Sequence, residues 1–266
     1  MSFNDKLRSV INTKNSHLCI GLDLNLEHFP KSILSSQDPF IDFNKQIIKY
    51  TEDLAAVYKL NLAFYEALGQ DCHRVIKETL AMVPDDVLTI ADAKRGDIGA
   101  SSEMYAKAIF DEYGFDAVTV SPYMGFDSLQ PFTNYNDKGV FSLVLTSNSG
   151  AEDFQYLTDE SGKPLYIAVA EKLSAWNENE NIGMVLGATH ISELKAALNA
   201  APNLPCLVPG VGKQGGDASG VRDAFRDVGN ELFIVNSSRG IIYASDGDDF
   251  ASEAREAAKT LRDSLI

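Results

Sequence analysis

A (β/α)8 barrel in a single domain, residues 1–266, is the fold this sequence predicts, and three observations predict it. Eight short apolar runs rich in β-branched residues recur along the chain. Amphipathic helical segments lie between them, with no low-complexity linker and no internal repeat. No GxGxxG follows the first run, so a doubly wound open sheet lacks its usual support.

The runs, in order, are HLCIGLDL (17–24), AAVYKLNLA (55–63), VLTIADAK (87–94), AVTVSP (117–122), VFSLVLTS (140–147), GMVLGAT (183–189), PCLVPGV (205–211) and ELFIVNSS (231–238). Each is almost continuously apolar rather than alternating, as parallel strands covered on both faces require. Between them the helical period appears at 64–83, 101–114, 191–201 and 218–229, and a segment rich in good helix formers, 249–265, closes the chain.

Hydrophobic residues make up 45% of the 266 positions, enough for a sizeable core. With 38 acidic and 23 basic residues the formal charge is −15, which argues against nucleic acid or an anionic membrane as partner. A local set of donors in such a protein can still hold an anionic metabolite. The three cysteines, Cys19, Cys72 and Cys206, are far apart and form no CxxC pair, which fits a reduced compartment. Cys19 and Cys206 fall in apolar runs and read as buried small hydrophobes. The start, MSFNDKLRSVINTKNS, has no signal-peptide core, and no segment approaches a membrane span, so a cytoplasmic protein is expected.

Active sites of these barrels lie at the C-terminal ends of the strands. The first run here ends in Asp23, the second carries Lys59 and Asn61, and the third ends in Asp92 and Lys94, with Asp97 in the loop beyond. Strand alternation puts Asp92 and Lys94 on one face and Lys59 and Asn61 on one face. If those faces point inward, two carboxylates and two ammoniums converge at one mouth. Loop charges or structural ion pairs would explain any one of them. Four on three successive strands point further, because buried charge is costly unless paired. Alternating charges would hold one another ionised and keep a lysine ready to deliver a proton.

The seventh and eighth runs lead into PGVGKQGGDAS (209–219) and NSSRGII (236–242). Both are Gly-rich and precede a helix or turn, so backbone N–H groups are free to face an anion at the place where barrels often bind phosphate. Gln214 adds an amide donor and Arg239 a guanidinium suited to bidentate contact. The fifth run ends in TSNSG (146–150), whose Ser147 and Asn148 suit a polar heterocycle or carbonyl and equally suit a capping loop. The four histidines are scattered without metal-ligand spacing, so no metal site is expected. Trp176 reads as a helix-to-barrel packing residue, and ASDGDD (244–249) as a solvated, helix-capping stretch.

GLDL, DAKRGD, TSNSG, PGVGKQGGD and SSRGI, in this order over essentially the whole chain, resemble the orotidine 5′-phosphate decarboxylase family, in its longer bacterial branch. The DxKxxD unit alone is shared with relatives of different chemistry; the combination with the other loops is far more specific. The resemblance implies decarboxylation of orotidine 5′-monophosphate to uridine 5′-monophosphate in pyrimidine synthesis, with no metal or organic cofactor. It implies that Lys94 protonates C6, that Asp92 lies beside the departing carboxylate, and that Lys59 and Asp23 contact the ribose. It implies that Asp97 acts in the partner's site of a homodimer, with Ser101 reaching across as well, although threonine is common in the family at that position. Ser147 would contact the pyrimidine. Gln214 and Arg239 would hold the 5′-phosphate with the Gly215 and Gly240 backbone, and Pro209 and Val211 would line the apolar side of the base pocket.

Two other readings compete. One is another phosphate-binding barrel, such as a 3-keto-gulonate-phosphate decarboxylase or a ribulose-phosphate epimerase. That site would need a divalent cation where Lys59 and Lys94 place opposing charge. The other is a non-catalytic nucleotide-binding barrel, which would have no use for the Lys and Asp set.

Overall fold

The computed structural model describes residues 1–211 and 216–266. Eight parallel strands close into a barrel in sequence order: β1 (Leu18–Gly21), β2 (Val57–Asn61), β3 (Leu88–Arg95), β4 (Ala117–Val120), β5 (Gly139–Leu145), β6 (Ile182–Leu186), β7 (Cys206–Pro209) and β8 (Phe233–Ser237). The ring shuts where Cys19 on β1 pairs with Asn236 on β8. Gly21 is required at this seam, because a Cβ there would stand 1.9 Å from Ser238 Oγ.

The strands are buried on both faces, and the two faces belong to different cores. Outward residues such as Ile20, Tyr58 and Val118 pack under the helical ring. Inward residues such as Cys19, Val57, Ile90, Phe141 and Leu207 fill the lower barrel. A helix before β1, Phe3–Lys14, forms the floor of that inner core. Its buried residues Phe3, Leu7 and Ile11 lie four apart and make one stripe, and Ser2 caps it with a reciprocal Asp5 contact. Phe3 meets Phe141 edge to face at 5.8 Å, and a side chain at Gly139 would collide with its ring. This helix lies outside the five helical segments expected above, although the Ser2–Asp5 box and the stripe are its signature.

The segment 64–83, read as one helix, is three pieces: Leu62–Glu66, a short 3-10 turn at Gly69–Asp71, and Cys72–Leu80. Gly69 adopts φ +63°, which ends the first helix and re-aims the chain. The last helix, Phe250–Leu265, packs on Pro39–Thr51 and completes the outer ring, with Phe250 and Phe29 stacked on the two sides of Phe43 at 5.3 and 4.2 Å. Trp176 is half-buried against Phe126, as a packing residue should be, and Cys19 and Cys206 are buried. No helix among the described residues is long and apolar enough to cross a membrane.

Candidate active site

A cavity of about 240 Å³ opens at the C-terminal mouth of the barrel. Its wall on one side is charged: Asp23, Lys59, Asp92 and Lys94 meet there, as the strand-end pattern predicted. Opposite stand Leu143, Val185, Leu207, Pro209 and Val211, and the rim carries Arg239 and Gly240. Three basic side chains therefore face two carboxylates, so this pocket is locally cationic within an acidic protein.

The charged wall is one connected chain. Lys59, with only 5% of its side chain exposed, places Nζ 3.1 Å from Asp92 Oδ2 and 3.8 Å from Asp23 Oδ1. Lys94 Nζ is 2.6 Å from Asp92 Oδ1, and half of its side chain is exposed to the cavity side. Burial alone would raise the Asp92 carboxyl; the two ammoniums and their hydrogen bonds outweigh it and hold it at about 2. Burial opposes charge on Lys59 too, yet the neighbouring carboxylates Asp23 and Asp92 raise it well above the usual lysine range. Lys59 and Asp92, the two buried centres of this chain of contacts, are thus stabilised in their charged forms.

Alternation explains only part of this arrangement. β3 and β4 pair in step up to Ala91 with Val118, and the next pair is Arg95 with Val120, so β3 carries a bulge between them. Lys94 lies inside the bulge with φ +47°, a left-handed conformation disfavoured for any residue with a Cβ. Its N–H donates to Thr119 Oγ1 at 3.0 Å, and that hydroxyl donates to Asp92 Oδ1 at 2.9 Å.

Asp23 lies just past β1, where its backbone is tied down from two sides. Tyr243 donates its hydroxyl to the Asp23 carbonyl (2.7 Å) and accepts from the Asn25 N–H, while Tyr65 donates to the Leu22 carbonyl. Asn61 faces the cavity and also caps the next helix, accepting from the Ala63 N–H. Ser147 lines the cavity with a buried Oγ that has no protein partner among the described residues. Its loop is pinned by Gln155, whose Oε1 accepts from the Thr146 N–H and whose Nε2 donates to Thr146 Oγ1, both at 2.8 Å. Asn148 turns out of the cavity and accepts from that same Thr146 hydroxyl.

Asp97 and Ser101 are not brought to this cavity: Asp97 is in the loop after β3, its carboxylate accepting from the Ile98 N–H, and Ser101 is exposed on the following helix. Gln214 and Gly215 lie outside the described residues. The chain on either side of them is drawn together at the backbone, Gly216 N–H donating to the Gly210 carbonyl at 3.1 Å. Among the described residues no three His, Cys, Asp or Glu side chains gather as a metal ion would require.

A model of the orotidine 5′-phosphate decarboxylase / HUMPS family matches residues 16–255. The chain belongs to this family. It is 47% identical to the orotidine 5′-phosphate decarboxylase of Dehalococcoides mccartyi strain CBDB1, with 100% of this chain and 97% of that one aligned. It is 45% identical to that of Herpetosiphon aurantiacus, with 97% and 95% aligned. Among solved structures, the OMP decarboxylase of Leishmania donovani matches with a TM-score of 0.85 at 37% identity, covering 100% of this chain and 97% of the other. As an orotidine 5′-phosphate decarboxylase family member, the chain closes an eight-stranded barrel like that of its solved relatives.

Several residues that line or support this cavity do not stand out in the sequence alone. Leu143, Val185 and Leu207 look like core because they are core, and only the inward alternation of the closed barrel brings them to the base of the cavity. Thr119 was one letter in an apolar run, yet its position two beyond inward-facing Ala117 was the available signal. Gln155, distant from any strand end, had no signal.

Proposed function

We propose that this chain decarboxylates orotidine 5′-monophosphate to uridine 5′-monophosphate, with Lys94 as the proton donor. The observation that carries this reading is the Lys94 ammonium, 2.6 Å from Asp92 and half-exposed on the charged wall of the cavity, in a chain of this family. It is an enzyme of pyrimidine biosynthesis, a carboxy-lyase.

In the reaction the bond from C6 to the carboxylate breaks, its electron pair stays on C6, and CO2 departs. The ring delocalises that pair poorly, so stabilisation must come from positive charge already in place. Lys94 supplies it, then transfers a proton to C6 and becomes a neutral amine that solvent reprotonates. Asp92 lies beside the leaving carboxylate and, held ionised by Lys59, orients Lys94. Asp23 and Lys59 bind the ribose, Ser147 meets the pyrimidine with a hydroxyl that has no protein partner among the described residues, and Arg239 with Gln214, Gly215 and Gly240 takes the 5′-phosphate. The apolar wall of Pro209 and Val211 covers the base. Phosphate contacts remote from C6 hold the ring in register, so they contribute to turnover as well as to affinity.

Residues 1–266 act in this reading as one cytoplasmic domain, and the functional unit is a homodimer in which Asp97 and Ser101 serve the partner's cavity. Its support is the surface around them: Ile98, Met104, Tyr123 and Met124 are exposed, Tyr123 to 87%, an unusual apolar set for solvent.

The reaction is tested by incubating chelator-treated protein with orotidine 5′-monophosphate and following loss of the orotate-ring absorbance. Turnover without metal is expected. No turnover, with added Mg²⁺ eliciting a different activity, would sink the assignment. The base contact has its own test. Gln155→Leu unpins the Ser147 loop and is expected to weaken both the KM for substrate and the affinity for uridine 5′-monophosphate by roughly tenfold. Unchanged values for both would mean that Gln155 does not govern Ser147.

A further inference from the structure

We propose that Thr119 is a positioning residue of this reaction, its single hydroxyl aligning the Asp92 carboxylate with the backbone of Lys94. The proposal rests on Lys94 as proton donor and goes beyond it by assigning what keeps the donor in place.

Thr119 is only 1% exposed and sits inward on β4, in the cavity lining beside Asp92 and Lys94. A buried hydroxyl needs partners. Here it has two, and their chemistry fixes its orientation. The Lys94 N–H can only donate, and the ionised Asp92 can only accept, so the hydroxyl accepts from the first at 3.0 Å and donates to the second at 2.9 Å.

The first bond holds a backbone that departs from its strand. Lys94 has no partner in the β3–β4 register, and its φ of +47° is unfavourable for a lysine. The Thr119 side chain takes the place of a ladder acceptor for the Lys94 N–H, and so stabilises the bulge that directs the side chain toward Asp92. Such strain persists only where surrounding contacts over-determine it.

The second bond matters during turnover. Asp92 Oδ1 is shared by Lys94 Nζ and Thr119, and Oδ2 by Lys59. When Lys94 gives its proton to C6 it becomes neutral, and Oδ1 loses its cationic partner. The Thr119 hydroxyl remains on that oxygen, so the carboxylate keeps its orientation until Lys94 is reprotonated. A threonine here therefore serves the step in which charge on the lysine changes, rather than binding of substrate or product.

Thr119→Val keeps the shape and removes both bonds. It is expected to lower kcat about ten- to a hundredfold, with KM and the affinity for uridine 5′-monophosphate within about threefold of wild type. Thr119→Ser restores the hydroxyl and is expected to recover kcat to within about threefold of wild type. A purely structural role would lower the melting temperature and loosen product binding together, so both are measured on each variant. Should the valine protein not fold, Thr119→Ala against Thr119→Ser makes the same comparison. Wild-type kcat in the hydroxyl-free variant, or a serine variant as slow as it, would overturn the proposal. If wild-type protein is inactive or Lys94→Ala is active, the reaction assignment itself has failed; with both in order, the result bears on Thr119 alone.

Discussion

Lys94→Ala is expected to reduce kcat by at least about a thousandfold, because it removes both the charge facing C6 and the proton that C6 receives. The same substitution should leave uridine 5′-monophosphate affinity within a few-fold of wild type, since the proposed phosphate and base contacts are made by other residues. It should also leave the fold intact. Half of the Lys94 side chain is exposed, and Asp92 retains its ion pair to buried Lys59 at 3.1 Å. Backbone strain adds a control, because φ +47° disfavours alanine as it does lysine, whereas glycine adopts it freely. Lys94→Gly should therefore be as inactive as the alanine variant and at least as stable. The checks are kcat, product binding by calorimetry and thermal midpoint. An alanine variant retaining a tenth or more of wild-type kcat would show that another group protonates C6.

Mixing two inactive proteins is expected to regenerate activity if Asp97 serves the partner subunit. Asp97→Ala alone should be inactive, since it removes a carboxylate from every site of the dimer. When it exchanges subunits with Lys94→Ala, each heterodimer gains one site with Lys94 from one chain and Asp97 from the other. The second site of that heterodimer lacks both. Random exchange at equal amounts makes half the dimers mixed, so about a quarter of wild-type activity should return. The position of Asp97 makes this a sharp test, because its carboxylate engages the Ile98 N–H at the loop and is not part of its own chain's cavity wall. Verified heterodimers without activity would place its action within its own subunit.

The barrel was readable because eight doubly buried strands produce eight continuous apolar runs, a pattern that few other folds require. Charges ending those runs were legible for the same reason: Lys59 and Asp92 break a hydrophobic pattern, and several such breaks on successive strands point to a site where one alone would not. What escaped notice obeyed the pattern. Leu207 and Val185 are apolar in an apolar strand, and nothing local distinguishes lining a ligand cavity from filling a core. Thr119 is a β-branched residue in a strand, where its packing is unremarkable and only its partners reveal it. The left-handed turn at Lys94 was invisible because alternation already placed Asp92 and Lys94 on one face, a correct conclusion reached without the bulge that produces it. Long-range contacts such as Gln155 to Thr146 depend on how a loop returns, which no periodicity encodes.

The hydrogen bond from Tyr243 to the Asp23 carbonyl joins positions 220 apart. During synthesis the Asp23 loop leaves the ribosome 220 residues before Tyr243, one of the two tyrosines that secure it. A nascent chain can therefore bring Lys59, Asp92 and Lys94 together well before its substrate-facing first loop is anchored. The order in which the polymer is made thus leaves the first loop without that tether until residue 243 has been added.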